Sequence, residues 1–451
     1  MKYSIEKNKA GKYDVKKEGA KRASKVFDTE IEARDYVKKQ GGTIDAFDNA
    51  KLVAATGHKV LVWVILIIIA ILGIGGGATA VVVLNNNKPA VEGVVYDGFQ
   101  AHFLMLGNEY AGDCTYLKVG DVDILIDAGS RPASGKTIKA YVDKYCKDKK
   151  LEYVIATHAD QDHIAAFTGK ESIFTYYDCE TIIDFAYSNK TTSTYNNYLA
   201  LRDEEVSNGA KHYTAKECFN NENGAQSTYQ LTDYVKMTIL YNKYYFETSA
   251  DENNYSVCVL FTYTKGEEVH NFLFTGDLER EGEEALAEYY KSHEGLGHVD
   301  LFKGGHHGSK TSSNDCLLEL ITPDICCVCC CAGSTEYTVN RVNTFPTQDF
   351  INRISKYTDR VYVTTMWNEE KEEFEALNGN IIVSCGLATI TNDDGTTKEE
   401  VSIGLAASNN LTKLKDSEWF SHIVYVNDKD QIVDKNAEGA KGVACRVWPT
   451  N

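Results

Sequence analysis

The spacing of apolar and polar positions divides the chain into three unlike parts. In residues 3–40, short alternations such as Lys2-Tyr3-Ser4-Ile5 and Lys12-Tyr13-Asp14-Val15 are broken near Gly11 and Gly19, predicting three short strands. Asp28-Thr29-Glu30-Ile31-Glu32 then opens a helix with Thr29 and Glu32 at capping-box spacing, and Gly41-Gly42 closes it. Residues 60–84 follow, 25 positions without a charge. A helix rising ~1.5 Å per residue over that length crosses a ~30 Å hydrocarbon core with some tilt. Nothing amphipathic marks a buried face, and the length and the preceding sequence exclude a cleaved signal.

Beyond a short linker at 85–89, apolar runs recur and each ends in polar residues. Residues 101–107 and 121–129 are expected to pair as strands around a turn, 137–147 to form a helix, and 151–156 a buried strand. Further strands are expected at 255–261, 271–274, 299–303, 361–364 and 380–384, with a helix at 280–290. Strand, strand, helix, strand predicts an αββα sandwich of the α/β class in place of a doubly wound sheet. The expected organisation is a small basic α+β domain at 1–50, one transmembrane helix at 60–84, a layered domain at 93–395 and a polar appendage at 396–451.

Charge changes this picture in two ways. The chain carries −18 in all, which argues against a strong nucleic-acid-binding surface. Residues 1–59 have a net +5, leaving −23 for the remainder. Lys51, His58 and Lys59 precede the apolar run and only Lys88 closely follows it. This asymmetry predicts a single-pass protein of the cell membrane, N-terminus cytoplasmic and large domain outside. The 13 cysteines, an odd number, all lie after residue 113, and so many thiols suit a reducing or anaerobic setting. Cys326-Cys327-Val328-Cys329-Cys330-Cys331 has the profile of a buried strand, whose consecutive side chains face opposite ways and cannot share one metal. The eleven tyrosines of residues 172–250 are expected mainly as half-buried packing, a few as rim of a substrate groove.

The chemistry gathers at the ends of the apolar runs. After 151–156 come His158, Asp160, Asp162 and His163 within Thr157-His158-Ala159-Asp160-Gln161-Asp162-His163. Donors packed so densely compete for protons unless a cation holds them, which points to one divalent metal or two. A helix N-cap at Asp160 or Asp162 would explain one carboxylate and neither histidine. Asp127 ends another run, Asp277 a third, and His306-His307 with Lys310 a fourth.

The order LIDAGS, THADQDHIA, NNYSV, FTGDLE, KGGHHGSKTSS resembles the metallo-β-lactamase superfamily, and within it the hydrolase domain of ComEC-like DNA-uptake proteins, over about residues 96–390. The resemblance implies two divalent ions, Zn²⁺ first with Mn²⁺ as competitor. His158 and Asp160 would bind one, Asp162 and His163 the other, Asp277 would bridge them, and His306 or His307 would complete the second site. It implies that Asp127 orients a ligating imidazole, that Asn253, Asn254 or Ser256 stands where most members supply another histidine, and that Asp162 and Asp277 serve catalysis. Lys310, close to the last histidine, is a candidate for stabilising an anionic substrate, although a solvated loop lysine is the plainer reading. A hydroxide bridging the metals would attack a phosphodiester-type or small anionic substrate. Asp160, where most members carry histidine, favours phosphodiesters over a lactone or carboxyl-ester substrate. A non-enzymatic surface module would have no use for so many converging donors. ComEC proteins also carry a polytopic channel and an oligonucleotide-binding fold, which this sequence lacks, so DNA uptake does not follow. Separately, GKYDVKKEGAKRASKVFDTEIEA resembles a small bacterial domain of unknown function covering the first forty or so residues, which implies a compact ββα-type module.

Overall fold

The computed structural model describes residues 98–368, 371–391 and 397–450, together with the strand at 91–94 and parts of 2–44. It divides into two compact units, residues 1–68 and 69–451. In the first, β1 (Lys2–Lys7), β2 (Tyr13–Lys17), β3 (Lys25–Phe27) and β4 (Thr43–Ile44) form a sheet of order β3-β2-β1-β4. Buried Val15 packs with Ala33 and Val37 of the helical stretch. The expected helix start at Asp28, the apolar run at 60–84 and the linker at 85–89 lie outside the described residues. Among the described residues no helix is long and apolar enough to cross a membrane.

Among the described residues the second unit contains two large sheets and a two-stranded one, Ile423–Val426 paired with Lys441–Ala444. One holds β5 (Val91–Val94), β6 (Phe99–Phe103), β7 (Thr115–Val119), β8 (Val122–Ile126), β9 (Lys150–Ile155), β10 (Asp178–Asp184) and β11 (Lys211–Thr214). The other holds β12 (Thr228–Gln230), β13 (Val235–Ile239), β14 (Val259–Lys265), β15 (Glu268–Phe274), β16 (Leu301–Lys303), β17 (Ile325–Ala332), β18 (Val361–Asn368) and β19 (Glu373–Ala376), in that order. β20 (Ile381–Thr391) and β21 (Thr397–Ala407) return to the first sheet, giving β11-β10-β9-β8-β7-β6-β20-β21 with β5 against β20.

Alternation along these strands builds the layers. Phe99, Phe103 and Leu117 of one sheet meet Phe261, Phe272 and Phe274 of the other in a shared core. Outside the first sheet, Leu125 and Val154 pack under Ile138 and Val142 of helix Ser134–Val142. Outside the second, Leu273 and Val328 pack under Leu286, Leu317 and Phe350 from three helices. Helix, sheet, sheet, helix is the expected order. The cysteine strand obeys the same alternation: Cys327 and Cys329 face the shared core, Cys326 and Cys330 the outer one, and all are free thiols.

Two expectations are corrected. The strands expected at 101–107 and 121–129 do not pair with each other, because β7 lies between β6 and β8. Gly120, at φ +59, makes a tight β7–β8 hairpin, and β7 was not expected as a strand. The expected boundary at 395/396 falls between β20 and β21, which pair over eleven residues. Trp419, Phe420 and Cys445 then join the outer core of the second sheet, so the tail belongs to the layered unit.

β8 through β11 run parallel, as do β15 through β18. The loops leaving β8, β9, β15 and β16 carry Asp127, His158, Asp277 and the His306-His307 pair. Carboxyl ends of parallel strands are where open α/β sheets place their sites.

Candidate metal centre

The first half of the site is built locally. Asp127, at φ +58, accepts hydrogen bonds from Thr157 N at 2.7 Å and Thr157 Oγ1 at 2.8 Å. Its Oδ2 lies 2.8 Å from His163 Nδ1, which turns His163 Nε2 toward Asp277. Gly129, just after it, has no Cβ because one would sit 1.5 Å from the Asp162 carbonyl oxygen. His158 Nδ1 is 3.1 Å from Thr157 Oγ1 and 3.4 Å from Ser256 Oγ. The His158 and His163 rings lie tilted with centroids 4.1 Å apart, both fully buried. Asp160 occupies the N-cap of the short helix Gln161–Ile164 without capping it. Its Oδ1 meets Lys190 and its Oδ2 stays 3.6 Å from His158 Nε2. Asp162 Oδ2 lies 3.2 Å from His307 Nε2 and accepts from the Tyr337 hydroxyl at 2.9 Å.

The second half is held from outside. Gly276, at φ +55, turns the chain after β15, and Asp277 N donates to Ser256 Oγ at 3.0 Å. Asp277 Oδ2 faces His163 Nε2 at 3.1 Å, His307 Nε2 at 3.4 Å and His306 Nε2 at 4.0 Å. Its Oδ1 is 3.3 Å from Nζ of buried Lys303, which also donates to Gly276 O and meets Asp113. His307 Nδ1 is 2.9 Å from Cys329 O and 3.2 Å from Asp113 Oδ1. His306 is less buried, its Nδ1 near Thr311 Oγ1 and Glu279 Oε1. Both histidines are left-handed, at φ +47 and +53. Such backbone costs ~1–2 kcal/mol per residue, so strong supports are required. Glu283 accepts from Ser313 N at 2.7 Å and Asn314 N at 2.8 Å, and Arg353 donates to Ser312 O and Ser313 O at 2.8 Å.

Electrostatics follow from burying Asp113, Asp127 and Asp277 with His158, His163 and His307. Burial opposes charge on His163, yet Asp277 and Asp127 outweigh it and hold the imidazole well above its usual range. Against the same burial, Asp277 and Asp113 raise His307 to about 10. His158 goes the other way, because burial and the neighbouring His163 both disfavour its charged form. Burial works against Asp277 too, but His163, His307 and Lys303 keep it ionised. The pocket is organised for positive charge surrounded by carboxylates.

The residues expected from the sequence converge with two exceptions. Lys310 is exposed and does not line the cavity, because its loop turns outward where Arg353 holds the backbone. Asp160 reaches the cavity but shares its carboxylate with Lys190. Asn253 lines the cavity, and Ser256 lies behind it, bonded to the Asp277 backbone. The buried pair Asp113 and Lys303 was not expected. Lys303 ends an otherwise apolar strand at the rim where the acids end theirs, a signal that would have found it. The open cavity, about 400 Å³, is also bordered by Gln161 of the 157–163 stretch and by Arg131, Glu336 and Tyr337, the last three marked by no pattern.

The donors fit a divalent cation. Nε2 of His158 and of His163 are buried without a well-directed hydrogen bond, and one ligand atom each of His158, His163 and Asp277 lie within 4.8 Å of one another. A buried unpaired polar group costs about 1–3 kcal/mol, which a metal bond removes. Asp113, His163 and His307 form a second such group. No thiol faces the cavity, and a mixed nitrogen and oxygen set suits Zn²⁺ and Mn²⁺ alike.

Residues 107–169 match the family model of the metallo-beta-lactamase superfamily. Over that stretch the chain is similar to the metallo-beta-lactamase superfamily. Residues 3–42 match a family described as an uncharacterized protein conserved in bacteria. A stretch of 127 residues is 30% identical to Recombination protein 2 of Haemophilus influenzae, covering 28% of this chain and 14% of that protein. The chain therefore spans about a seventh of that relative. Among solved structures, the class B3 di-zinc metallo-beta-lactamase LRA-12 from an Alaskan soil metagenome is 14% identical, with 43% of this chain and 75% of that one covered and a TM-score of 0.25. Metallo-beta-lactamase SMB-1 bound to 2-mercaptoethanesulfonate is 13% identical, with 47% and 82% covered and a TM-score of 0.29.

Proposed function

We propose that the chain is a metal-dependent hydrolase that cleaves phosphodiester bonds in small or end-bound substrates, anchored to a membrane by residues 60–84. The observation that carries it is the buried convergence of His158, His163 and Asp277, whose ligand atoms lie within 4.8 Å of one another while both Nε2 atoms lack a well-directed hydrogen bond. His158, Asp160, Asp162, His163, Asp277 and His307 would hold two divalent ions, with His306 at the cavity edge. When bound, such ions supply Lewis acidity and lower the pKa of water. Asp127 fixes the His163 ring, and Asp113 does the same for His307. Lys303 holds one oxygen of Asp277 and leaves the other facing the imidazoles.

The Asp at position 160 supports phosphodiesters, as does the partial likeness to a protein named for recombination. A lactone or carboxyl ester is the second reading, favoured by one observation: four carboxylates line the cavity, and Arg131 is paired with Glu336. The cationic flank at Lys51, His58 and Lys59 supports a cytoplasmic N-terminus and an outer hydrolase unit. Protease added outside intact cells should then remove that unit, and protection until lysis would reverse the orientation.

The deciding experiment measures bound metal in the full-length protein and turnover of an aryl phosphodiester, single-stranded DNA and a lactone, with Asp162→Ala as control. We expect stoichiometric metal and diester turnover abolished in the variant. Only trace metal would overturn the hydrolase reading; lactone turnover without diester turnover would change the bond.

A further inference from the structure

One wall of the cavity comes from residues 333–346, between β17 and the helix Gln348–Ile354. Tyr337 projects from it, 57% exposed, with its hydroxyl 2.9 Å from Asp162 Oδ2. Its ring rests on Phe345 at 5.4 Å, and Phe345 packs at 5.8 Å from both His306 and His307. The loop is tied at both ends. Glu336 accepts from Ala111 N at 2.8 Å and pairs with Arg131 at 2.9 Å. Arg341 pairs with Asp430 at 2.9 Å and donates to the carbonyls of Ala444 and Cys445. Arg446, 2% exposed, donates to Thr344 O at 2.6 Å and Pro346 O at 3.0 Å. Two arginines thus connect the C-terminal segment to the loop that carries Tyr337.

We propose that Tyr337 is a catalytic residue of this site, its hydroxyl donating a hydrogen bond to the oxygen that departs when the substrate bond breaks, with Arg341 and Arg446 as positioning residues. This rests on the hydrolase reading above. Asp160, Asp162, Asp277 and Glu336 line the cavity as acceptors, and a departing oxygen needs a donor. Arg131 is committed to Ser130 O and Glu336, and His306 Nδ1 to Thr311 and Glu279. The Tyr337 hydroxyl reaches the cavity floor from the solvent side and exchanges Asp162 for the substrate without moving its backbone. In the step itself, the oxygen of water bonds to the electrophilic centre. The leaving oxygen departs with the bonding pair, Tyr337 stabilises that charge, and the proton that finally neutralises it comes from water.

The test uses the full-length metal-loaded protein and aryl phosphodiesters whose leaving phenols range from strongly to weakly acidic. Tyr337→Phe should cost roughly 100-fold in kcat/KM on the poorest leaving group and little on the best, with metal content unchanged. Arg341→Gln should show a weaker form of the same trend and no added loss in the Tyr337→Phe background. An equal loss across the series, or loss of metal from Tyr337→Phe, overturns the proposal, since Tyr337 would then only hold Asp162. Additive losses remove the positioning role of Arg341. If only aryl esters turn over, the same slope comparison on esters decides it while the phosphodiester assignment fails. Turnover of neither series overturns the hydrolase reading and this proposal together.

Discussion

The two histidine-bearing loops of the site are supported in opposite ways. The 156–163 loop is self-contained: Asp127 from the adjacent strand takes Thr157 and His163 together, and three bonds fix the imidazole. The 304–314 loop carries two left-handed histidines and draws its supports from three separate elements, through Glu283, Arg353 and the carbonyl of Cys329, while Lys303 just before it holds Asp277. The first loop is tuned for metal geometry. The second concentrates buried charge, so its defects should appear as lost stability before lost chemistry.

Four substitutions test that contrast. Lys303→Met, which leaves Asp113 and Asp277 facing each other without their buried cation, should cost about 3–5 kcal/mol in urea unfolding of the metal-free protein. Saturating Zn²⁺ should restore part of that loss; an unchanged midpoint would remove the charge argument. Glu283→Ala strands two buried amides and should cost on the order of 3 kcal/mol near pH 5. Burial raises the Glu283 carboxyl to about 7, with Asn314 and Ser313 only partly offsetting it. Because the folded value lies above the unfolded one, its stabilising share is complete below the ordinary carboxylate range and fades as pH rises through about 7. The gap between wild type and variant should therefore narrow toward pH 8, and a widening gap contradicts this sign. Asp127→Asn should change stability less but weaken metal binding ~10–100-fold, read by competition with a chelating dye. Lys310→Ala should stay within ~0.5 kcal/mol of wild type with metal binding unaltered, and a large loss of turnover would return Lys310 to the site.

The same contrast explains what the sequence revealed. Asp127, His158, Asp162, His163, Asp277 and the 306–307 pair each follow an apolar run, so strand ends alone pointed to one rim. The layered order was legible for the same reason, since β8, β9, β15 and β16 announce themselves by hydrophobicity. Asp113 was not, because it sits in a loop before β7, itself not expected as a strand. Lys303 was passed over for Lys310, since a charge at the end of a buried strand reads as its solvent flank. Tyr337 lies outside the tyrosine-rich stretch where a rim was sought. It reaches the cavity only because Arg341 and Arg446, four and over a hundred residues later, hold its loop, and pairings at that range leave no local periodicity.

The cysteine strand has a consequence in time. Twelve of the thirteen thiols are buried in the finished fold, where oxidants have little access. β17 is flanked on both sides by parallel partners, and parallel pairings close long loops and form slowly. Until β16 and β18 arrive, five thiols within six residues lie open to cross-linking, and adjacent ones bridged to distant partners would trap the sheet half-made. The decisive race is therefore between sheet closure and the local oxidant, and refolding yield with and without reductant would record its outcome.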